Sequence, residues 1–277
     1  MHHNHSIAIL IFCNIGIILN GIGLFVLIKF TNGYNLTQRF ILIQLSIVDL
    51  CLSVLVEIEE CSNILNLNLS NSLVYSVIKE VFNAGFYFTT FWLVFDRYLH
   101  IKMNIKYVIY WPQKKSIIAA VILWSIAGLC GYVATYYSKT YYSCVVTSYD
   151  LVIICFSTFV YAYALIRFQK QKTNIRSNQH GKKILKGLII SSFIITIFFG
   201  LVAIPDTLWT LNNVGVYQNP KIDKYCKINY VIALWTDALV YIFASPQVRI
   251  TLKNNIKFLL SKKKNQLQRF KEENTHF

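Results

Sequence analysis

Ile7–Leu27 reads IAILIFCNIGIILNGIGLFVL, 21 residues without one charged side chain. At a rise of 1.5 Å per residue this run makes a helix of about 30 Å, the thickness of a bilayer's hydrocarbon core. Six further stretches are long and apolar enough to be read the same way: Phe40–Val56, Leu73–Phe95, Ser116–Tyr136, Leu151–Phe168, Ile184–Trp209 and Ile228–Ala244, the second and seventh of the set being the shortest. The 277 residues are 55% hydrophobic and only 14% charged, too apolar for a soluble protein. The expected fold is an all-α membrane protein, one bundle of seven transmembrane helices over residues 1–277. No repeat, low-complexity tract or linker divides it.

Charge sets the expected orientation, because Lys and Arg flanking a span are retained on the cytoplasmic side. With the amino terminus outside, the inner segments hold 2, 5, 7 and 8 of them, 22 of the 27, and the outer segments hold Lys79, Lys139, Lys221, Lys224 and Lys227. The first stretch lacks a following small-residue cleavage pattern, so it is read as a retained helix preceded by an extracellular stub at residues 1–6. The net charge of +15 is then positive-inside anchoring on anionic lipid and a cytoplasmic partner surface, not a nucleic-acid footprint. After Ser245-Pro246, apolar residues from Val248 to Leu260 recur among Lys and Arg, the pattern of a short amphipathic eighth helix on the inner membrane face, with a basic tail completing residues 245–277. The acceptor sequons at Asn4 and Asn68 fall outside and the one at Asn35 falls inside. Four cysteines, Cys13, Cys51, Cys130 and Cys155, fall within spans, and Cys61, Cys144 and Cys226 fall on the oxidising side.

Ionisable residues deep in a span are costly and mark function by default. Asp49 is mid-span, with Asn20 in the first stretch and Asp237 in the seventh. They either satisfy one another between helices or serve a functional site.

The residues around them favour the second reading. Asp96-Arg97-Tyr98 closes the third span at its inner end and resembles the triplet that ends the third helix of rhodopsin-like G-protein-coupled receptors. Asp49 resembles that family's second-helix acid, Asn20 its first-helix Asn, and Trp124 its fourth-helix Trp. Phe199 and Pro205 resemble its sixth-helix aromatic and kink, Asp237-Ala238-Leu239-Val240-Tyr241 its seventh-helix box, and Ser245–Arg249 the start of its eighth helix. A lone triplet is weak, but the ordered set covers Asn20 to Arg249. The stub, the short tail and the Asn/Ile/Lys/Tyr usage are similar to the divergent chemosensory receptors of invertebrates such as nematodes.

The resemblance implies a plasma-membrane receptor that binds an extracellular small molecule or short peptide and activates a heterotrimeric G protein through Asp96, Arg97, Tyr98 and Tyr241, with no cofactor, metal or catalytic residue. Several positions depart from the family. Ala203 replaces the sixth-helix Trp, Ala238 the Pro of the seventh-helix box, and Ser72 the third-helix Cys, so a bridge to Cys144 would come from Cys61, with Cys226 competing. Phe86 fills the place of a small polar residue, which disfavours a sodium site, and Val231 is not the Lys of an opsin. Lys79 stands where amine receptors carry Asp, which argues against a cationic amine.

Lys79 lies 18 residues before Arg97, five turns along one helix face and about 27 Å away. Glu60, eleven residues from Asp49, faces the interior near the outer rim. Glu60, Lys79 and Asp206 either neutralise one another or, with Asn83, Tyr87 and Trp209, outline a ligand pocket. The inner end of the sixth stretch, Lys182–Lys186, offers Arg97 no acid, leaving Asp96 as its restraint. From another class, an ion- or proton-coupled transporter would use Asn20, Asp49 and Asp237 but predicts repeats or paired broken helices, which the chain lacks. An intramembrane enzyme would need His or nucleophiles deep in a span, and the six His are all elsewhere.

Overall fold

The computed structural model describes residues 2–29, 36–65, 67, 69, 72–103, 107–136, 139–170, 199–216, 219, 221–244 and 254. Among them there is no strand. The helices are α1 (His2–Lys29), α2 (Leu36–Ile64), α3 (Leu73–Met103), the single turn α4 (Tyr107–Tyr110), α5 (Gln113–Ala134), α6 (Lys139–Lys170), α7 (Ile204–Val214) and α8 (Ile222–Ala244), with a π-helical turn at Phe199–Ala203 leading into α7.

Four of these, in α1, α2, α5 and α6, are long and apolar enough to cross a membrane. Much of their apolar surface is exposed. The apolar stretch of α5 is only 17% buried, and Ile118, Val121, Ile122 and Leu129 all stand exposed on it. The face that α5 does bury is Ser116, Ala120, Ala127 and Gly131. Small residues let helix backbones approach where the hydrophobic effect cannot drive association. At Gly131 the approach is extreme, since a Cβ there would stand 2.5 Å from the Val81 backbone nitrogen of α3. About one turn along α3 from Val81, Gly85 leaves room for the Trp124 ring, which a Cβ would meet at 3.0 Å.

Packing runs in a closed circuit. α1 lies against α2 and α8, α2 against α3, α3 against α5 and α6, α6 against α7, and α7 against α8. Gly16 and Gly23 bring α1 onto its neighbours, with Ser53 Oγ 3.0 Å and Ala238 Cβ 3.3 Å from where a Cβ would be. Arg39 closes the C-terminal end of α1, its Nε and Nη2 donating to the carbonyls of Leu27 (2.6 Å) and Ile28 (2.5 Å), which an α-helix leaves without intrahelical partners in its last turn. At the other end of the chain, α7 stops at Gly215, whose φ of 87° is the left-handed conformation that glycine adopts without a Cβ penalty.

Three boundaries correct the sequence reading. α2 continues past Val56 to Ile64, and α6 begins at Lys139, so most of the segment Ser138–Tyr149, which lies between the fourth and fifth apolar stretches and whose polar residues read as loop, is helix. Ser143, Val146 and Asp150 recur at helical spacing and are buried. Thr147 and Thr210 share a hydrogen bond of 2.7 Å, and Thr210 donates to the Ser143 carbonyl at 2.9 Å, which fastens this first part of α6 to α7. α1 likewise begins at His2, within the expected stub. Asn68, Asn35, Lys182–Lys186 and, Asn254 apart, the expected eighth helix lie outside the described residues, as do the side chains of Asn4, Arg97, Phe199, Asp237 and Tyr241.

Candidate functional site

In the C-terminal part of α3, Asp96 is fully buried and accepts a hydrogen bond from the Tyr107 hydroxyl of α4. Tyr107 is itself 1% exposed, and the His100 ring stacks on it at 4.7 Å. The turn α4 is therefore pinned against α3 by a buried polar contact, the kind that rigidifies because leaving either group unpaired is expensive. Tyr98 is half-buried in an aromatic array with Phe95, Phe156 and Tyr163, with Lys102 Nζ 5.4 Å from its ring. Sequence reasoning missed Tyr107, which falls between apolar stretches.

Asn20 and Asp49, both fully buried, come to the same region where α1, α2 and α8 meet. Asn20 Nδ2 donates to the Leu234 carbonyl of α8 (2.8 Å), Ser46 Oγ of α2 donates to the Asn20 carbonyl (3.5 Å), and Ser53 donates to the Asp49 carbonyl (2.7 Å). Phe86 is buried in the adjoining core with Tyr87 and Tyr230.

Glu60, Lys79 and Asp206 separate into two groups instead of one neutralising set. Lys79 pairs with Glu59 at 2.6 Å, Glu59 also holds Lys227 at 2.9 Å, and Lys227 reaches Glu60. Two cations and two carboxylates thus tie α2, α3 and α8 together, and Tyr75 donates to both the Leu55 carbonyl and Glu59. Burial works against the charge of Lys227, one residue outside the seventh apolar stretch. The carboxylates of Glu59 and Glu60 outweigh it and hold the ammonium above the ordinary lysine range. The sequence reading took Glu60 and Lys79 as candidate site residues but passed over Glu59 and counted Lys227 only as an outer charge, because pairing across helices is invisible to spacing within one.

Asp206 belongs to the second group. It sits in the first turn of α7, after a π-turn and Pro205, whose missing N–H interrupts regular helical bonding. The Tyr87 hydroxyl donates to Asp206 at 2.7 Å, and the Asp206 carbonyl accepts from Thr147 at 3.4 Å. Facing Asp206 is Asp150 of α6, which is 1% exposed. Neither carboxylate oxygen of Asp150 accepts a hydrogen bond from any donor among the described residues. Between the two groups, Asn83 accepts from Tyr230 at 2.9 Å, and Trp209 is half-buried on α7. Asp150 was missed because it falls just before the fifth apolar stretch, which begins at Leu151, and carries no motif.

The expected bridge is not formed. Cys61 and Cys144 are exposed free thiols, and Cys226 is a buried one whose sulfur donates to the Pro205 carbonyl at 3.1 Å. Cys144 is fixed on helix α6 and Cys61 on α2, each of which packs on α3. No protein-family model matches the chain, and no curated protein is significantly similar to it.

Proposed function

We propose that this chain is a seven-transmembrane receptor of the plasma membrane, amino terminus outside, that takes up an extracellular small molecule or short peptide and activates a heterotrimeric G protein on its inner face. The observation that carries the reading is Asp96. A carboxylate fully buried at the inner end of α3, beside Arg97 and held by a tyrosine of the following turn, is a restrained polar switch at the end of a helix that runs the depth of the molecule. Such a group has little use in a lipid-facing helix without a two-state element to govern.

Two further features support it. Asn20 and Asp49 are buried where three helices meet, a polar centre that a passive bundle would replace with aliphatic packing. The π-turn before Pro205 breaks regular helix geometry next to Asp206, and such interruptions recur at functional positions. Agonist at the outer end would shift the population of a state in which the inner end opens, with Arg97 released for the G protein and Tyr241 part of the same inner surface. Membrane lipid is the solvent of the exposed faces of α1 and α5.

The test is a second-messenger reporter in cells co-expressing promiscuous G proteins, at matched surface levels. Arg97→Ala is expected to abolish basal and ligand-driven signal while leaving surface expression largely intact. Signal at the level of mock-transfected cells for the unaltered chain, across a screen of odorants and short peptides, would reject the receptor reading.

A further inference from the structure

We propose that the outward face of α1 is a dimerisation seam whose occupant is the α1 of a second copy of this chain, packed parallel so that Asn14 meets its own counterpart.

Between Ile7 and Ile28 the exposed residues of α1 are Ile and Phe, with two exceptions, Asn14 and Gly21. These two stand seven residues apart and so share one stripe. With Ile11, Ile18 and Phe25 they fall at alternating spacings of three and four. That is the heptad seam along which two helices wind around each other knobs into holes. Ile11, Ile18 and Phe25 are 56%, 61% and 56% exposed, so the rest of the described chain leaves the seam open.

Lipid accounts for the Ile and Phe but not for Asn14. An amide in hydrocarbon is costly unless its hydrogen bonds are made. Asn14 stands seven residues past Ile7, about 10 Å into the span. Its Nδ2 donates to the Leu10 carbonyl at 2.9 Å and to Glu57 Oε1 of α2 at 3.1 Å. The first bond is redundant, because the Leu10 carbonyl is also the helical acceptor for the Asn14 backbone N–H. No described residue donates to Asn14 Oδ1.

The amide is thus self-complementary, with a donor to re-aim and an acceptor to fill. Copies of one chain insert in a bilayer the same way round, so a second α1 brings its Asn14 to the same depth by symmetry. Each Nδ2 can then turn from Leu10 to the other copy's Oδ1, the kind of polar contact that holds helices together in lipid. Gly21 fits the same seam. Gly16 and Gly23 make room for Ser53 and Ala238 of the same chain, whereas a Cβ at Gly21 would have nothing within 4 Å. A glycine that weakens the helix without serving its own chain's packing is explained where two copies approach closely.

The test is association of the full chain in liposomes, read as energy transfer between donor-labelled and acceptor-labelled copies while added lipid dilutes them. Transfer above the level of random proximity, falling reversibly on dilution, is expected. Asn14→Leu and Gly21→Ile should each need a protein-to-lipid ratio at least fivefold higher for half-maximal transfer, and Ile118→Ala on the exposed face of α5 should change nothing. Gly21→Ile places its side chain in open space, so it keeps the test if Asn14→Leu folds poorly by its melting temperature in detergent. Weakening by either variant, with Ile118→Ala silent, supports the seam. Transfer at the random level for the unaltered chain would leave lipid as the occupant and overturn the proposal. Transfer weakened by neither variant, or equally by Ile118→Ala, would place the contact on another face and overturn it as well. The readout is association alone, so it stands or falls independently of the receptor reading.

Discussion

Tyr107 donates its hydroxyl to Asp96 across the junction of α3 and α4, and neither side chain is more than 1% exposed. A hydrogen bond to a charged group is worth about 1.5–3 kcal/mol, and about 1.4 kcal/mol changes a two-state ratio tenfold. If the contact holds the inner end in its resting arrangement, Tyr107→Phe raises basal signalling several-fold. Asp96→Asn does the same, and the double variant adds little, because both remove one contact. Basal second-messenger output at matched surface levels checks this; strictly additive effects would show that Tyr107 acts elsewhere.

Gly131→Ala is expected to destabilise by about 1–3 kcal/mol, the usual cost of overpacking, because its Cβ would stand 2.5 Å from backbone that cannot yield as a side chain does. Gly128, three residues away on the same helix, has nothing within 4 Å of a Cβ. Gly128→Ala is therefore neutral or gains about 0.5–1 kcal/mol from helix propensity. Thermal melting of the two variants in detergent checks the contrast, and equal melting temperatures would contradict the close contact between α3 and α5.

Glu59→Gln removes a carboxylate shared by two lysines and is expected to lower the melting temperature by several degrees, since stranding a partly buried charge costs more than the pair gains. Adding Lys79→Met to it should recover part of the loss. Lys227 gives the pH dependence: its folded pKa lies above the ordinary 10.5, so its contribution is fully present below that value and fades only as pH rises through the folded one. Melting temperature between pH 7 and 9 should thus show no loss traceable to this cluster, and a decline that Glu59→Gln abolishes would refute it.

Cys61 and Cys144 are free and exposed, and the orientation proposed from the charge count would put both on the outer side. A membrane-impermeant maleimide applied to intact cells is expected to label both without prior reduction. Labelling only after permeabilisation would invert the orientation, and labelling only after reduction would restore the bridge that the structure lacks.

The helical plan was legible where apolar residues run unbroken, as in Ile7–Leu27, because such a run has one stable form in lipid. It was illegible where a helix turns polar. α6 reaches back to Lys139 through Thr, Ser and Asp that read as loop, although Ser143 and Asp150 lie on one buried face. Angular reasoning along α2 brought out Glu60 as inward-facing, and Glu60 is buried. It passed over Glu59, the carboxylate with two lysine partners, since the partners belong to other helices. Tyr107 and Asp150 carry no motif at all. Their importance arises from Asp96 and Asp206, which reach them only once the chain is folded.

The π-turn at Phe199–Ala203 also has an angular meaning. Each residue advances an α-helix by about 100°, and a π-turn takes up one residue more than an α-turn does. Counting at 100° per residue from Phe199 therefore misjudges the facing of Pro205 and Asp206, because the extra residue rotates everything after the turn. Excising Gly200 would remove that residue and turn Asp206 relative to Phe199, away from the Tyr87 hydroxyl, with no change to Asp206 or Tyr87.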